Sequence, residues 1–349
     1  MRFVLPWLLL VLLLPAGVPP GSLRTVVPSP GLTLTPACDH RPSPRPSDPP
    51  LPRAGEGPGV RAVNGGTLYV ANLRSSDVSV IALADGVERA RVPVAFNPHE
   101  LAPAGDALLV TNYRSGVVTR LTLPDLVATP IILGGEPHGL AVTGALAAVT
   151  LGRAGEVALL DVADGNVHAR VPTGGEPHMA AAWGDRLYVA DAAGNALLEI
   201  DPSTATLTRR VAVGATPESL DVSPEGNAIA VANARSGDVS LIDRERFVER
   251  ARVPLPGSPV RVRYHPDGRL LAVSLANVGQ VALLDRDGAV MALVPVGNRP
   301  DGLAFSPNGR LLYVALTGDN RVAVVDVAAR RVVRALPAGD GPSGLLLVP

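Results

Sequence analysis

A single cysteine, Cys38, stands in the chain of 349 residues, and lysine is absent, so all 31 positively charged side chains are arginine. One thiol excludes an intramolecular disulfide and any iron–sulfur cluster. Aromatics are only 3 % of the sequence, so a core must rest on Val, Leu, Ile and Ala. No basic stripe interleaved with aromatics occurs, which speaks against nucleic-acid binding. The formal charge of −1 points the same way. There is no G-x-S-x-G elbow, H-E-x-x-H pair, P-loop, dinucleotide fingerprint or CxxCH haem motif. No run of helical period and length separates the turns, which excludes helical repeats.

Glycine (36) and proline (35) are plentiful instead, as many short strands joined by tight turns require. Arg2 followed by the apolar run Phe3–Leu14 predicts an export signal over residues 1–22, too short for a transmembrane helix. The expected address is periplasmic or extracellular, including the cell surface, with no further transmembrane segment. Residues 23–56, dense in proline, read as a disordered tether. Cys38 reads as an incidental thiol rather than a lipidation site. Residues 57–349 are expected to form the folded domain, a monomer.

That domain repeats. Prolines at 58, 98, 137, 177, 217, 259, 300 and 342 bound seven units of 39 to 42 residues. A turn glycine follows each marker by seven residues in the first four units (Gly65, Gly105, Gly144, Gly184) and by nine in the last three (Gly226, Gly268, Gly309). A fixed position follows: Asn72, Asn112, Leu151, Asp191, Asn233, Leu275 and Leu316. Asp161, Asp201, Asp243, Asp285 and Asp326 lie ten residues further on and should hydrogen-bond the next turn. Each unit holds four short β-type runs, in unit five Ser219–Val222, Ala228–Ala232, Val239–Asp243 and Glu249–Val253. One such sheet cannot bury both faces, but seven around an axis can. The expected fold is all-β, a seven-bladed β-propeller of four-stranded antiparallel blades. Two segments, Gly59–Val63 and Gly344–Val348, compete for one place as an innermost strand.

LYVAN (68–72), LLVTN (108–112), LYVAD (187–191), AVAN (230–233) and LLYVAL (311–316), each followed by a turn and a V-x-x-x-D strand, resemble YVTN-type propeller repeats. The resemblance spans residues 57–349. It implies the propeller fold and leaves function open, since such families include binding, surface and enzymatic members.

The meander places the residue after each marker at the mouth of the central channel. These are Gly59, His99, His138, His178, Glu218, Val260, Asp301 and Ser343. Three consecutive histidines with carboxylates nearby suit a divalent metal ion, although adjacent repeats also share residues by duplication. Arg74, Arg114, Arg153 and Arg235 occupy one turn position on the same face and are expected to form an arc outside the histidines. With Glu218 and Asp301 they form a candidate ligand-binding set for a small anionic molecule or a protein partner. Two readings follow. One is an exported, non-enzymatic binding module using this face. The other is a metal-dependent, lactonase-like hydrolase with His99, His138 and His178 as metal ligands. A purely structural surface protein is a third.

Overall fold

A computed structural model describes residues 65–349. The expected signal segment, the tether, Cys38 and Gly59–Val63 lie outside the described residues. The chain forms seven four-stranded antiparallel sheets, and each blade from the second to the seventh is a continuous meander. The strands of unit five run Pro217–Val222, Ala228–Asn233, Asp238–Asp243 and Val248–Pro254, as the repeat predicts. The described residues contain one helical turn, Gly152–Ala154, and no helix long and apolar enough to cross a membrane.

Blade one is assembled from both ends of the fold. Thr67–Asn72, Asp77–Ala82 and Val87–Pro93 are its three outer strands, and Pro342–Val348 supplies the innermost. Thr67 pairs with Val348 and Asn72 with Pro342. The C-terminal segment therefore closes the ring.

The burial pattern follows from where each strand sits. The second and third strands of a blade face neighbours on both sides, so they read as continuous apolar runs, such as LYVAN and VSVIA. The outermost strand alternates, as in VERARVP of blades one and five, with the arginines exposed along the edge and the glutamates half-buried. The apolar residues group into seven clusters, and each cluster is shared by two adjacent blades. No blade owns a core. Each burial of a Leu, Val or Ile contributes about 1.5–3 kcal/mol only once the neighbouring blade is present.

Closure is accordingly expected to be indispensable. Deleting Pro342–Val348 uncovers Leu68 and Val70, both fully buried, and removes Leu345 from the cluster between blades seven and one. At about 1.5–3 kcal/mol per side chain this consumes much of a domain's usual ~5–15 kcal/mol. The truncated chain should show no cooperative thermal transition, and a synthetic peptide of the missing strand should restore one.

The aspartates behave as expected. Asp161, Asp201, Asp243, Asp285 and Asp326 each accept a backbone N–H from the following turn at 2.8 to 3.0 Å.

Candidate functional site: the mouth of the central channel

One pairing repeats in all seven blades. The marker proline lies opposite the fixed Asn, Asp or Leu: Pro98 with Asn112, Pro137 with Leu151, Pro177 with Asp191, Pro217 with Asn233, Pro259 with Leu275, Pro300 with Leu316 and Pro342 with Asn72. Just past the proline the inner strand bulges, so its register against the second strand shifts. A bulge re-aims side chains. Here the residue after the proline turns toward the channel mouth.

Two threonines hold the bulge in the blades that bear His99 and His138. Thr111 Oγ1 accepts the Glu100 N–H at 3.0 Å and donates to the His138 carbonyl of the next blade at 2.7 Å. Thr150 repeats this with the Gly139 N–H and the His178 carbonyl, at 2.7 and 2.5 Å. Gly139 is required at that approach, because a Cβ there would lie 2.5 Å from the His178 carbonyl oxygen.

His99, His138, His178, Glu218, Val260 and Asp301 all line one recess of about 590 Å³. The three imidazoles follow one another in a column of mutually tilted rings, with centroids 3.9 Å apart at 33° for His99–His138 and 3.8 Å apart at 50° for His138–His178. Tyr113 meets the His138 ring edge-on at 4.8 Å. His138 Nδ1 lies 3.3 Å from the His178 carbonyl, and His178 Nδ1 lies 2.9 Å from the Glu218 carbonyl. A carbonyl only accepts, so both Nδ1 atoms carry protons, and the lone pair of His138 sits on Nε2. His178 Nε2 is 3.2 Å from Glu218 Oε2, a contact that binds only with a proton between them. His99 Nδ1 is buried without a hydrogen-bond partner, its nearest carboxylate being Glu100 Oε1 at 3.8 Å.

Burial, reinforced by the Arg261 guanidinium, holds the His99 imidazole down to about 3. Burial and the neighbouring imidazoles hold His138 well below the ordinary histidine value. Both are neutral at pH 7.

The floor is an ion cluster that composition and spacing did not reveal. Arg261 is 7 % exposed and reaches across the channel from blade six. Its Nε donates to Asp301 Oδ1 of blade seven at 2.9 Å, and one terminal nitrogen lies 2.5 Å from Glu100 Oε1 of blade two. The latter is a close ion pair that is not aligned as a hydrogen bond, which leaves Glu100 Oε1 without a donor. Its other terminal nitrogen reaches the Met179 sulfur of blade four at 3.0 Å. Ser343 Oγ donates to the second Asp301 oxygen at 2.6 Å, which ties in blade one. Burial works against the Arg261 charge, but Glu100 and Asp301 outweigh it and keep the guanidinium charged. Burial also pushes the Glu100 carboxyl up, against the pull of Arg261. At Asp301 burial is more than offset by Arg261, His99 and Ser343, and the carboxyl is lowered. A smaller cavity of about 260 Å³ lies further along the channel, and Arg261 borders both it and the recess. The guanidinium therefore lies between the two cavities.

The expected arginine arc is realised in half. Arg74 and Arg114 line the recess; Arg153 and Arg235 do not. Arg153 leaves on a 3₁₀ turn, stays 80 % exposed and pairs with Glu136 at 3.5 Å, while Arg235 points to solvent. One turn position sets the face but not the distance from the axis. Arg74 is already engaged, by Asp340 at 2.8 Å, the Thr317 carbonyl at 2.7 Å and Asn320 at 3.1 Å, and acts as a clip across the ring seam. Arg114 lies 5.9 Å over the Tyr113 ring, and Arg299 joins it in the lining. Neither guanidinium has an acceptor among the described residues.

A metal would take nitrogen or oxygen donors that converge on one point. The Nδ1 contact to the His178 carbonyl leaves His138 with Nε2 alone for this purpose, and no group of three His, Cys, Asp or Glu among the described residues is so arranged.

No protein-family model matches the chain, and no curated protein matches it. Among solved structures it is similar to Kuenenia stuttgartiensis hydrazine synthase, with 22 % identity and a TM-score of 0.64 over 71 % of this chain and 88 % of that one. It is similar to a functionally unknown protein from Desulfotomaculum acetoxidans, with 12 % identity and a TM-score of 0.71 over 81 % and 98 %. It is also similar to a candidate 6-phosphogluconolactonase from Bacteroides fragilis, with 16 % identity and a TM-score of 0.71 over 84 % and 100 %. At these identities the likeness is one of fold.

Proposed function

We propose that the chain is an exported, monomeric, non-enzymatic binding module of the YVTN-repeat type, and that it holds a small anionic molecule in the channel-mouth recess. One observation carries this reading. Arg114 and Arg299 line the recess with no acceptor of their own among the described residues, so two guanidinium forks remain for a carboxylate or phosphate. The other charges are largely spent, with Arg261 on Asp301 and Glu100, Arg74 on Asp340, and Glu218 against His178. Neutral His99 and His138 are poor proton carriers at pH 7, and the recess lining includes no serine or cysteine nucleophile.

Calorimetric titration with citrate and with inorganic phosphate at low salt tests the reading. Wild type should bind at least one of them. The double variant Arg114→Ala/Arg299→Ala should bind about tenfold to a hundredfold more weakly, as the loss of charge-assisted hydrogen bonds implies. Equal affinity in both proteins would refute the assignment.

A second reading, the metal-dependent lactonase-like hydrolase, is favoured by one observation. Burial keeps His99 and His138 in the neutral form that a metal ion requires. It requires the imidazole column to rearrange so that His99, His138 and His178 converge. Metal content after loading and desalting decides it, compared with the His99→Ala/His138→Ala/His178→Ala variant.

A further inference from the structure

The face opposite the histidines carries a second cavity, a cleft of about 560 Å³ between blades five and six. The repeat itself explains why it exists there. In blades five, six and seven the first turn is two residues longer, and its glycine abuts the preceding blade. Trp183 covers Gly226, with the Arg244 guanidinium 4.2 Å from the indole. His265 covers Gly309, its ring fixed by Asp267 at 2.7 Å and by the Gly309 carbonyl at 3.0 Å. Between blades five and six no ring does this. Gly268 is covered only by the exposed carboxylate of Glu225. The wedge that seals two neighbouring junctions is missing, and a gap remains.

Tyr264 forms part of the wall of that gap. It is 6 % exposed, packs in the cluster shared by blades five and six, and its hydroxyl is buried with no hydrogen-bond partner among the described residues. An unpaired buried hydroxyl costs about 1–3 kcal/mol, so native structures rarely keep one without a use. Burial, with Asp221 acting in the same sense, pushes its ionisation up and leaves it a donor. Arg250 and Glu225 also act on it, and both line the cleft. Arg250, partly exposed, donates to the Arg286 carbonyl at 2.6 Å and lies 3.7 Å from Asp287 Oδ1. Arg269 and Glu225 line the same cleft, and neither side chain has an ion-pair or hydrogen-bond partner among the described residues.

Unspent charges of both signs thus face one cavity beside an unspent hydroxyl donor. A purely anionic or cationic ligand would leave one sign unanswered, and a neutral one would leave both. We propose that this cleft binds a compact zwitterion of the α-amino-acid class, its carboxylate on Arg250, Arg269 and the Tyr264 hydroxyl, and its ammonium on Glu225 and Asp243. The site is separate from the channel-mouth recess and does not depend on its assignment.

The test is calorimetric titration of the intact protein with each standard free α-amino acid, and with inorganic phosphate and glucose as comparators. At least one α-amino acid should bind wild type. Tyr264→Phe should weaken that binding about tenfold and leave the melting temperature at or above the wild-type value, because the hydroxyl makes no bond to lose. Arg269→Ala, an exposed substitution, should weaken it similarly, and His138→Gln on the opposite face should not change it. The proposal is overturned if no α-amino acid binds wild type, if both cleft variants bind as wild type does, or if phosphate or glucose is the only compound lost in them.

Discussion

Replacing Arg261 with methionine is expected to destabilise the propeller by about 3–5 kcal/mol, the usual penalty for removing one partner of a buried ion cluster. The side chain is 8 % exposed and joins blades two, four, six and seven across the channel. Without it the buried Glu100 and Asp301 carboxylates are left with no cation between them. The triple variant Arg261→Met/Glu100→Gln/Asp301→Asn should recover most of the loss, because the cost lies in the uncompensated charges rather than in the missing contacts. Urea unfolding of the three proteins measures this. A single variant as stable as wild type would mean that the cluster is not held as described. Only the channel floor should be affected, and Arg114 and Arg299 should keep their positions.

The second large effect is pH-dependent. The His99 imidazole is held at about 3 in the folded protein, against an ordinary value near 6.5, and His138 is shifted in the same direction. The unfolded chain therefore binds more protons than the native one between those limits. Stability is complete above about pH 6.5 and falls as pH drops toward 3, by up to about 1.4 kcal/mol per pH unit for each such histidine. Melting temperatures recorded from pH 7.5 down to 4 should fall, and His99→Gln, which cannot take up a proton, should flatten the decline. Glu100 acts in the opposite sense, since its raised carboxyl favours the folded state at lower pH. An unchanged slope in the His99 variant would show that the column does not exclude protons.

Much of this was legible because tandem repetition turns one weak signal into seven aligned ones. The marker prolines, the fixed Asn/Asp/Leu position and the strand-ending aspartates pair as their spacing implies. The placement of His99, His138, His178, Glu218 and Asp301 at one mouth followed from topology alone. Arg261 was missed because the position two after the marker carries Glu100, Gly139, Met179, Ser219, Arg261, Gly302 and Gly344, which share no chemistry. The one positive charge at this inner-strand position was the available signal. The column of tilted histidine rings was not legible either, since spacing brings the rings together without fixing their planes. Arg153 and Arg235 share the turn position but do not line the recess, Arg153 sitting on a 3₁₀ turn beside Glu136 and Arg235 lying exposed. Tyr264 was hidden for another reason: what matters is the absence of a partner, which a sequence cannot display.

The seam in blade one bears on kinetics. Six blades can form as local hairpins, but Thr67 must find Val348 across the whole ring. That closure meets the largest loop entropy in the molecule and waits on every other junction. The same pairing places the two ends of the described fold side by side in one sheet, so a tether joining them would convert the slowest step into a local one. Native-state hydrogen exchange should then find its least protected inner strand at Pro342–Val348, with Arg74 as the latch whose release precedes opening.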